Sequence, residues 1–125
     1  MVKPALVSIV AVDGRDDGAL LALAAGAARG LDAAVGAAIL ESARERAVEV
    51  AAPDEMQQTP GSGVIASVQG KTVVVGNAAV FTSLGLSIER LGDWADRLRQ
   101  RGQQVLFVAV DGQTVGFIGL IDSRL

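Results

Sequence analysis

The sequence predicts an α+β fold: an antiparallel β-sheet of about six strands flanked by helical hairpins. Three observations lead there. Short β-branched runs are joined by two-residue turns ending in glycine, at Gln69-Gly70 and Asp111-Gly112, which is how antiparallel neighbours are connected. Three longer stretches carry apolar residues at helical rather than alternating spacing. The order of helices and strands never repeats a β-α-β unit, so a parallel sheet is not indicated.

With 125 residues, the chain suits one domain large enough to bury a core without staples. Half the residues are hydrophobic, yet there are three Phe, one Trp and no Tyr, so the core is expected to rest on Ala, Val, Leu and Ile. The formal charge is −3, and the arginines of the middle helix and of Arg90–Arg124 alternate with acids. No nucleic-acid footprint follows from that pattern. The chain has no Cys and no His, which excludes a disulfide framework, Cys/His zinc sites and histidine-based catalysis. The amino terminus does not read as a signal peptide. The most apolar stretch, Ala19 to Ala28, is too short to span a bilayer.

In chain order, Ala5 to Val12 reads as a strand ended by Asp13-Gly14. Asp16 or Asp17 caps a helix from Gly18 to Arg29, whose Leu20, Leu23, Ala24 and Ala27 share a face. Gly30 fits the left-handed position that stops such a helix. Asp32 caps a second helix, Ala33 to Val50, with Val35, Ala38 or Ile39, and Ser42 inward and Arg44, Glu45 and Arg46 in solvent. A short edge strand is expected around Glu55–Gln58. Val64, Ala66 and Val68 face one way and Ile65, Ser67 and Gln69 the other; Val73 and Val75 continue the buried pattern. Asn77 caps a short helix, Ala78 to Leu84. Ser87 caps the last, Ile88 to Arg101, with a stripe of Ile88, Leu91, Ala95 and Leu98 and with Trp94 packing beside it. Val105 to Val110 and Thr114 to Ile121 form the final hairpin, with Gly116 and Gly119 marking a bulge or a close neighbour.

The stretch from Pro60 to Asn77 holds the candidate site. A hairpin turning at Gln69-Gly70 brings Gly61–Gly63 back beside Gly76-Asn77, and two glycine corners at one end of a ladder let a ligand approach backbone closely. On their own such glycines usually serve turns and bulges. No Gly-x-x-x-x-Gly-Lys-Ser/Thr phosphate loop is present, and Lys71, just after a turn, reads as a solvated side chain.

Taken together, the series resembles the nucleotide-binding (N) domain of heavy-metal-transporting P-type ATPases over nearly its whole length. Lys3-Pro4 looks like the segment that follows the family's phosphorylation motif. Leu20 to Ala25 resembles its first helix, Pro60-Gly61-Ser62-Gly63-Val64 its Pro-Gly-x-Gly-Val/Ile loop, and Val73-Val74-Val75-Gly76-Asn77 its Val-Gly-Asn corner. Gly102 through Asp122 is similar to its last hairpin. The resemblance implies that Asp32, Gly61, Ser62, Gly63, Val64, Gly76 and Asn77 bind ATP or ADP, with Mg2+ accompanying ATP in the full-length pump. It implies a cytoplasmic domain, residues 1–125, excised from an integral membrane transporter; a cut-out domain without a long exposed apolar stretch is expected to be monomeric. Its partners would be the phosphorylation (P) and actuator domains of the same polypeptide, without direct membrane contact. No Asp-Lys-Thr-Gly motif lies in the chain, so it would bind nucleotide without turning it over. One departure stands out. Where the family has Ser-Glu-His-Pro, this sequence has Leu31-Asp32-Ala33-Ala34: a carboxylate one methylene shorter, and an alanine in place of the histidine that packs on adenine. Two alternatives stay open: a degenerate N-domain serving as a structural or interaction module, and the N-domain of another P-type pump such as a potassium transporter.

Overall fold

The computed structural model describes residues 3–12, 14, 16–50, 52–59 and 63–123. The elements follow in the order β1 (Lys3–Ala11), α1 (Asp17–Ala27), a single 3-10 turn (Ala28–Gly30), α2 (Ala33–Glu45), β2 (Glu55–Thr59), β3 (Gly63–Val68), β4 (Lys71–Gly76), α3 (Ala78–Ser83), α4 (Glu89–Gln100), β5 (Gln104–Val110) and β6 (Gln113–Ser123). The strands make one six-stranded sheet in the order β1-β6-β5-β4-β3-β2, antiparallel throughout. The expected α+β architecture is therefore the observed one.

Both hairpin turns form as the sequence expects. Gln69 and Gly70 take φ of 52° and 77°, Asp111 and Gly112 take 49° and 85°, the left-handed pair that matches strand twist. Asp111 adds a tie of its own: its Oδ1 accepts from the backbone N–H of Thr72 at 2.9 Å.

The two faces of the sheet bury two cores of different composition. On one, α1 and α2 cover an aliphatic layer that includes Leu20, Leu21, Ile39, Val64, Val73, Leu106 and Ile118. On the other, α3 and α4 cover a layer holding all three phenylalanines, each fully buried. Phe107 lies between Phe81 and Phe117 at centroid separations of 5.6 and 5.9 Å. Trp94 adds its edge to Phe117 at 5.7 Å while staying 47 % exposed, so it packs from the rim, as expected.

Several local expectations are corrected. Gly30 does not take a positive φ; α1 ends through the 3-10 turn instead, and the reason for glycine there is contact. A Cβ at position 30 would overlap Val64 Cγ2 and lie 2.7 Å from Met56 Sδ. Helix α2 stops at Glu45 rather than Val50. Ala47 turns left-handed with φ 54°, and the N–H of Val48 reaches back to the carbonyl of Ala43 at 2.8 Å, a Schellman ending made without glycine. On α4 the cap position is Ile88, with Ser87 Oγ accepting from the Glu89 N–H at 3.4 Å. Gly116 and Gly119 both have close neighbours: a Cβ would overlap the carbonyl of Val10 at the first and Gln103 Oε1 at the second. The β5–β6 register also shifts opposite Gly116.

Candidate functional site

The two glycine corners meet through strand register. Gly63 pairs with Gly76, Thr59 pairs with Gly63, and Gly76 pairs with Phe107. What fills the space above the glycine pair is Val80 of α3. A Cβ on Gly63 would lie 2.8 and 3.0 Å from the two methyls of Val80, and one on Gly76 would lie 2.8 Å from its Cγ1. The missing side chains thus seat α3 against the end of the ladder. Asn77 fixes that seat, since its Oδ1 accepts from the Val80 N–H at 3.0 Å. Its carboxamide NH2 remains as a donor.

Asp32 reaches the same end of the sheet from the other face. Glycine at position 30 lets the 3-10 turn rest directly on Val64, the residue after Gly63. Gln58 Nε2 donates to the Gly30 carbonyl at 3.1 Å, tying the turn to β2 as well. Two residues on, Asp32 caps α2 by accepting from the Val35 N–H at 3.5 Å. Asp32, Ala33 and Ala34 are all exposed. Gly36 keeps the hairpin tight, because a Cβ there would lie 2.5 Å from the Ala28 carbonyl oxygen.

Of the seven residues expected at the site, the structure gathers Gly63, Val64, Gly76 and Asn77 at one corner and brings Asp32 to it through the Gly30–Val64 contact. Gly61 and Ser62 lie outside the described residues. The side chain of Val64 is fully buried, so what it offers a ligand is backbone. Lys71 stands at the opposite end of β4, five residues from Gly76, or roughly 17 Å along a strand, and is exposed.

Sequence reading missed three further residues here. Thr59 Oγ1 is a buried hydroxyl with no hydrogen-bond partner among the described residues, 2.5 Å from where a Cβ on Gly63 would stand. Its place opposite Gly63 was readable only once the register was known. Arg99 and Gln103 line a cavity of about 340 Å³ beside Asn77. Arg99 is paired with Asp96 at 2.6 Å, and its guanidinium lies 5.9 Å from the Phe107 ring centroid. A larger cavity, about 550 Å³, opens on β2 to β4 near Glu55, Ser67 and Thr72, toward the far end of the ladder. Among the described residues no group of His, Cys, Asp and Glu could hold a metal ion, and no helix is long and apolar enough to cross a membrane.

No family model matches the chain. A copper-exporting P-type ATPase of Legionella pneumophila is 34 % identical over 119 residues, which cover 95 % of this chain and 16 % of that protein. Among solved structures, the N-domain of HMA6, a copper-transporting P-type ATPase, superposes with a TM-score of 0.72 at 24 % identity, over 94 % of this chain and 97 % of that one. The chain belongs to the N-domains of heavy-metal P-type ATPases. The catalytic domain of the CPx-ATPase CopB-B, which changes conformation upon nucleotide binding, matches with a TM-score of 0.67 at 15 % identity, over 98 % of this chain and 39 % of that one. This N-domain spans about one-sixth of the length of the Legionella pump.

Proposed function

We propose that this N-domain binds ATP at the glycine corner and presents the γ-phosphate to an aspartate on a separate phosphorylation domain of the same polypeptide, in a pump for a heavy-metal cation. The observation that carries the reading is the seating of Gly30 on Val64. That contact sets the turn leading into α2 against the residue after Gly63, and it supports a reading in which Asp32, Gly63, Val64, Gly76 and Asn77, from segments far apart in sequence, act together.

The residues present fit a nucleotide in outline. Asp32, exposed at the start of α2, offers an acceptor to the exocyclic amine of adenine. Ala33 and Ala34 give the base a low apolar wall but no ring to stack on. Gly63 lets the base and ribose approach backbone, as the family resemblance also implies for Gly61. Asn77 offers its NH2 to the sugar or phosphates, because its oxygen is already held by α3. Among the described residues the buried Thr59 hydroxyl has no partner, so it is open to a bond from a ligand at this corner. Mg2+ would enter with the phosphates.

The chain supplies binding and orientation; the nucleophile would come from the phosphorylation domain. Strands β1 and β6 lie side by side, Lys3 opposite Ser123, and run past the row of Gly76. A domain joined through these two strands lies at the glycine-corner end of the sheet. Closing it on the nucleotide supplies the alignment that phosphoryl transfer requires. The proposal places the domain on the cytoplasmic side of the membrane, with the phosphorylation and actuator domains as its partners.

The test is calorimetric titration with ATP, ADP and AMP, alongside the unfolding midpoint. At ten times its Kd, ATP stabilises by about 1.4 kcal/mol. The loss of the family histidine predicts weak binding, and Ala33→His is expected to tighten it by roughly 2- to 10-fold through ring stacking. Absence of heat and of stabilisation at millimolar nucleotide, in both proteins, would favour the other reading that Ala33 allows: an N-domain kept for contacts between domains.

A further inference from the structure

We propose that the cavity beside Asn77 is an anion subsite that receives the phosphate chain of the nucleotide, with Arg99 as its cation. The proposal rests on the nucleotide reading of the adjacent corner and adds to it the direction in which the nucleotide lies. The cavity, about 340 Å³, is lined by Asn77, Ala78, Ala79, Arg99, Gln103 and Gln104, together with Val105. Its chemistry is one-sided. Two of its carboxamide oxygens are already engaged: Asn77 Oδ1 accepts from the Val80 N–H at 3.0 Å, and Gln103 Oε1 accepts from Ser8 Oγ at 2.8 Å. Each of these groups keeps its NH2 as a donor. Among the described residues no acidic side chain lines the cavity, and Arg99 is its one cation. Gln104 adds a third carboxamide, which can turn its NH2 inward, and a lining with three such donors and a guanidinium suits phosphate oxygens.

The pairing of Arg99 with Asp96 does not stand in the way. The two side chains are 37 % and 61 % exposed, and exposed pairs of this kind are held weakly and exchange readily. Polarity across the corner then sets the orientation. The carboxylate of Asp32, on the α1–α2 face, attracts an amine and repels phosphate. The Arg99 cavity, on the α3–α4 face, does the reverse. The phosphate chain therefore runs from Gly76 toward the start of β5. There Gln103 touches both Ser8 of β1 and Gly119 of β6, the two strands along which a phosphorylation domain would be joined.

The experiment compares the wild-type chain with Arg99→Ala, Arg99→Lys and Asp96→Asn, using adenosine, ATP and inorganic pyrophosphate as probes and backbone amide shifts as the readout. All three changes are at exposed positions, and circular dichroism checks that the fold is kept. Pyrophosphate is expected to move the amides of Asn77 to Ala79 and Gln103 to Val105 in the wild type, less so at high salt. Arg99→Ala should cut the advantage of ATP over adenosine by about tenfold, as loss of one charge-assisted contact does, while leaving adenosine affinity within about twofold. Arg99→Lys should restore part of that advantage, and Asp96→Asn should preserve or raise it. The subsite is overturned if neither pyrophosphate nor ATP moves those amides, or if Arg99→Ala weakens ATP and adenosine alike or leaves both unchanged. Failure of the nucleotide reading looks different: adenosine leaves Asp32, Gly63 and Gly76 unmoved while pyrophosphate still shifts the cavity.

Discussion

Replacing Gly30 by alanine tests how the site is assembled. The new Cβ would overlap Val64 Cγ2 and lie 3.0 Å from Val64 Cβ and 2.7 Å from Met56 Sδ. Met56 is flexible and half-buried, so it can yield. Val64 cannot: it is fully buried, stiff at its first torsion, and fixed in register between Gln58 and Val75. Overpacking of this sort costs about 1–3 kcal/mol. Val64→Ala alone removes two buried methyls, about 1.6 kcal/mol at 0.8 each before any cavity term. If both effects come from one contact, the double variant should be more stable than the sum of the singles predicts, by at least about 1 kcal/mol. Urea unfolding at constant m-value gives the three differences. Gly30→Asn separates the mechanisms further. Asparagine tolerates a left-handed cap, so it would be the mildest change if Gly30 served its φ; against Val64 it should be worse than alanine. Additivity within about 0.5 kcal/mol, or a Gly30→Asn protein as stable as wild type, would refute the contact account. ATP affinity should track the same cycle, since displacing the turn displaces Asp32.

Gly76→Ala should destabilise through Val80, and Val80→Ala should recover part of the loss, measured again by urea unfolding; no recovery would mean that Val80 is not what requires glycine there. Asp32→Asn should leave stability within about 0.5 kcal/mol, because asparagine caps a helix as well as aspartate. It should nevertheless narrow the preference for ATP over GTP in competition binding, since the carboxylate accepts from the adenine amine and repels the guanine oxygen. Ala47→Gly should raise stability by about 0.5–1 kcal/mol, because φ of 54° carries a Cβ penalty that glycine lacks; a lower thermal midpoint would contradict the assigned ending of α2.

Much of this fold was legible because its signals are local. Gln69-Gly70 and Asp111-Gly112 announce their turns by residue type alone, and alternation then fixes which side of β3 meets the core. The pairing of Gly63 with Gly76 follows by counting back from the turn. The misreadings share a different cause. Glycine at position 30 looks like a helix stop, yet its reason is Val64, more than thirty positions away. The end of α2 carries no glycine, and the apolar Val48 and Val50 prolong the helical pattern. Ala47 takes the left-handed turn because Val48 gains the core. The candidate site divides in the same way. Its glycines, Asn77 and Asp32 were readable as motif and cap. Thr59, Arg99 and Gln103 were not, since what singles them out is a missing partner or a shared cavity, and neither exists before the sheet is assembled.

The most direct test of the central claim is an amide chemical-shift titration of the wild-type chain with ATP. The account predicts saturable shifts concentrated at Asp32, at Gly61 to Val64 and at Gly76-Asn77, extending to Ala78, Ala79 and Gln103 to Val105 where the phosphates lie, with little change at Lys71 and the Asp111-Gly112 turn. Shifts scattered over both ends of the sheet, or none at millimolar ATP, would contradict it.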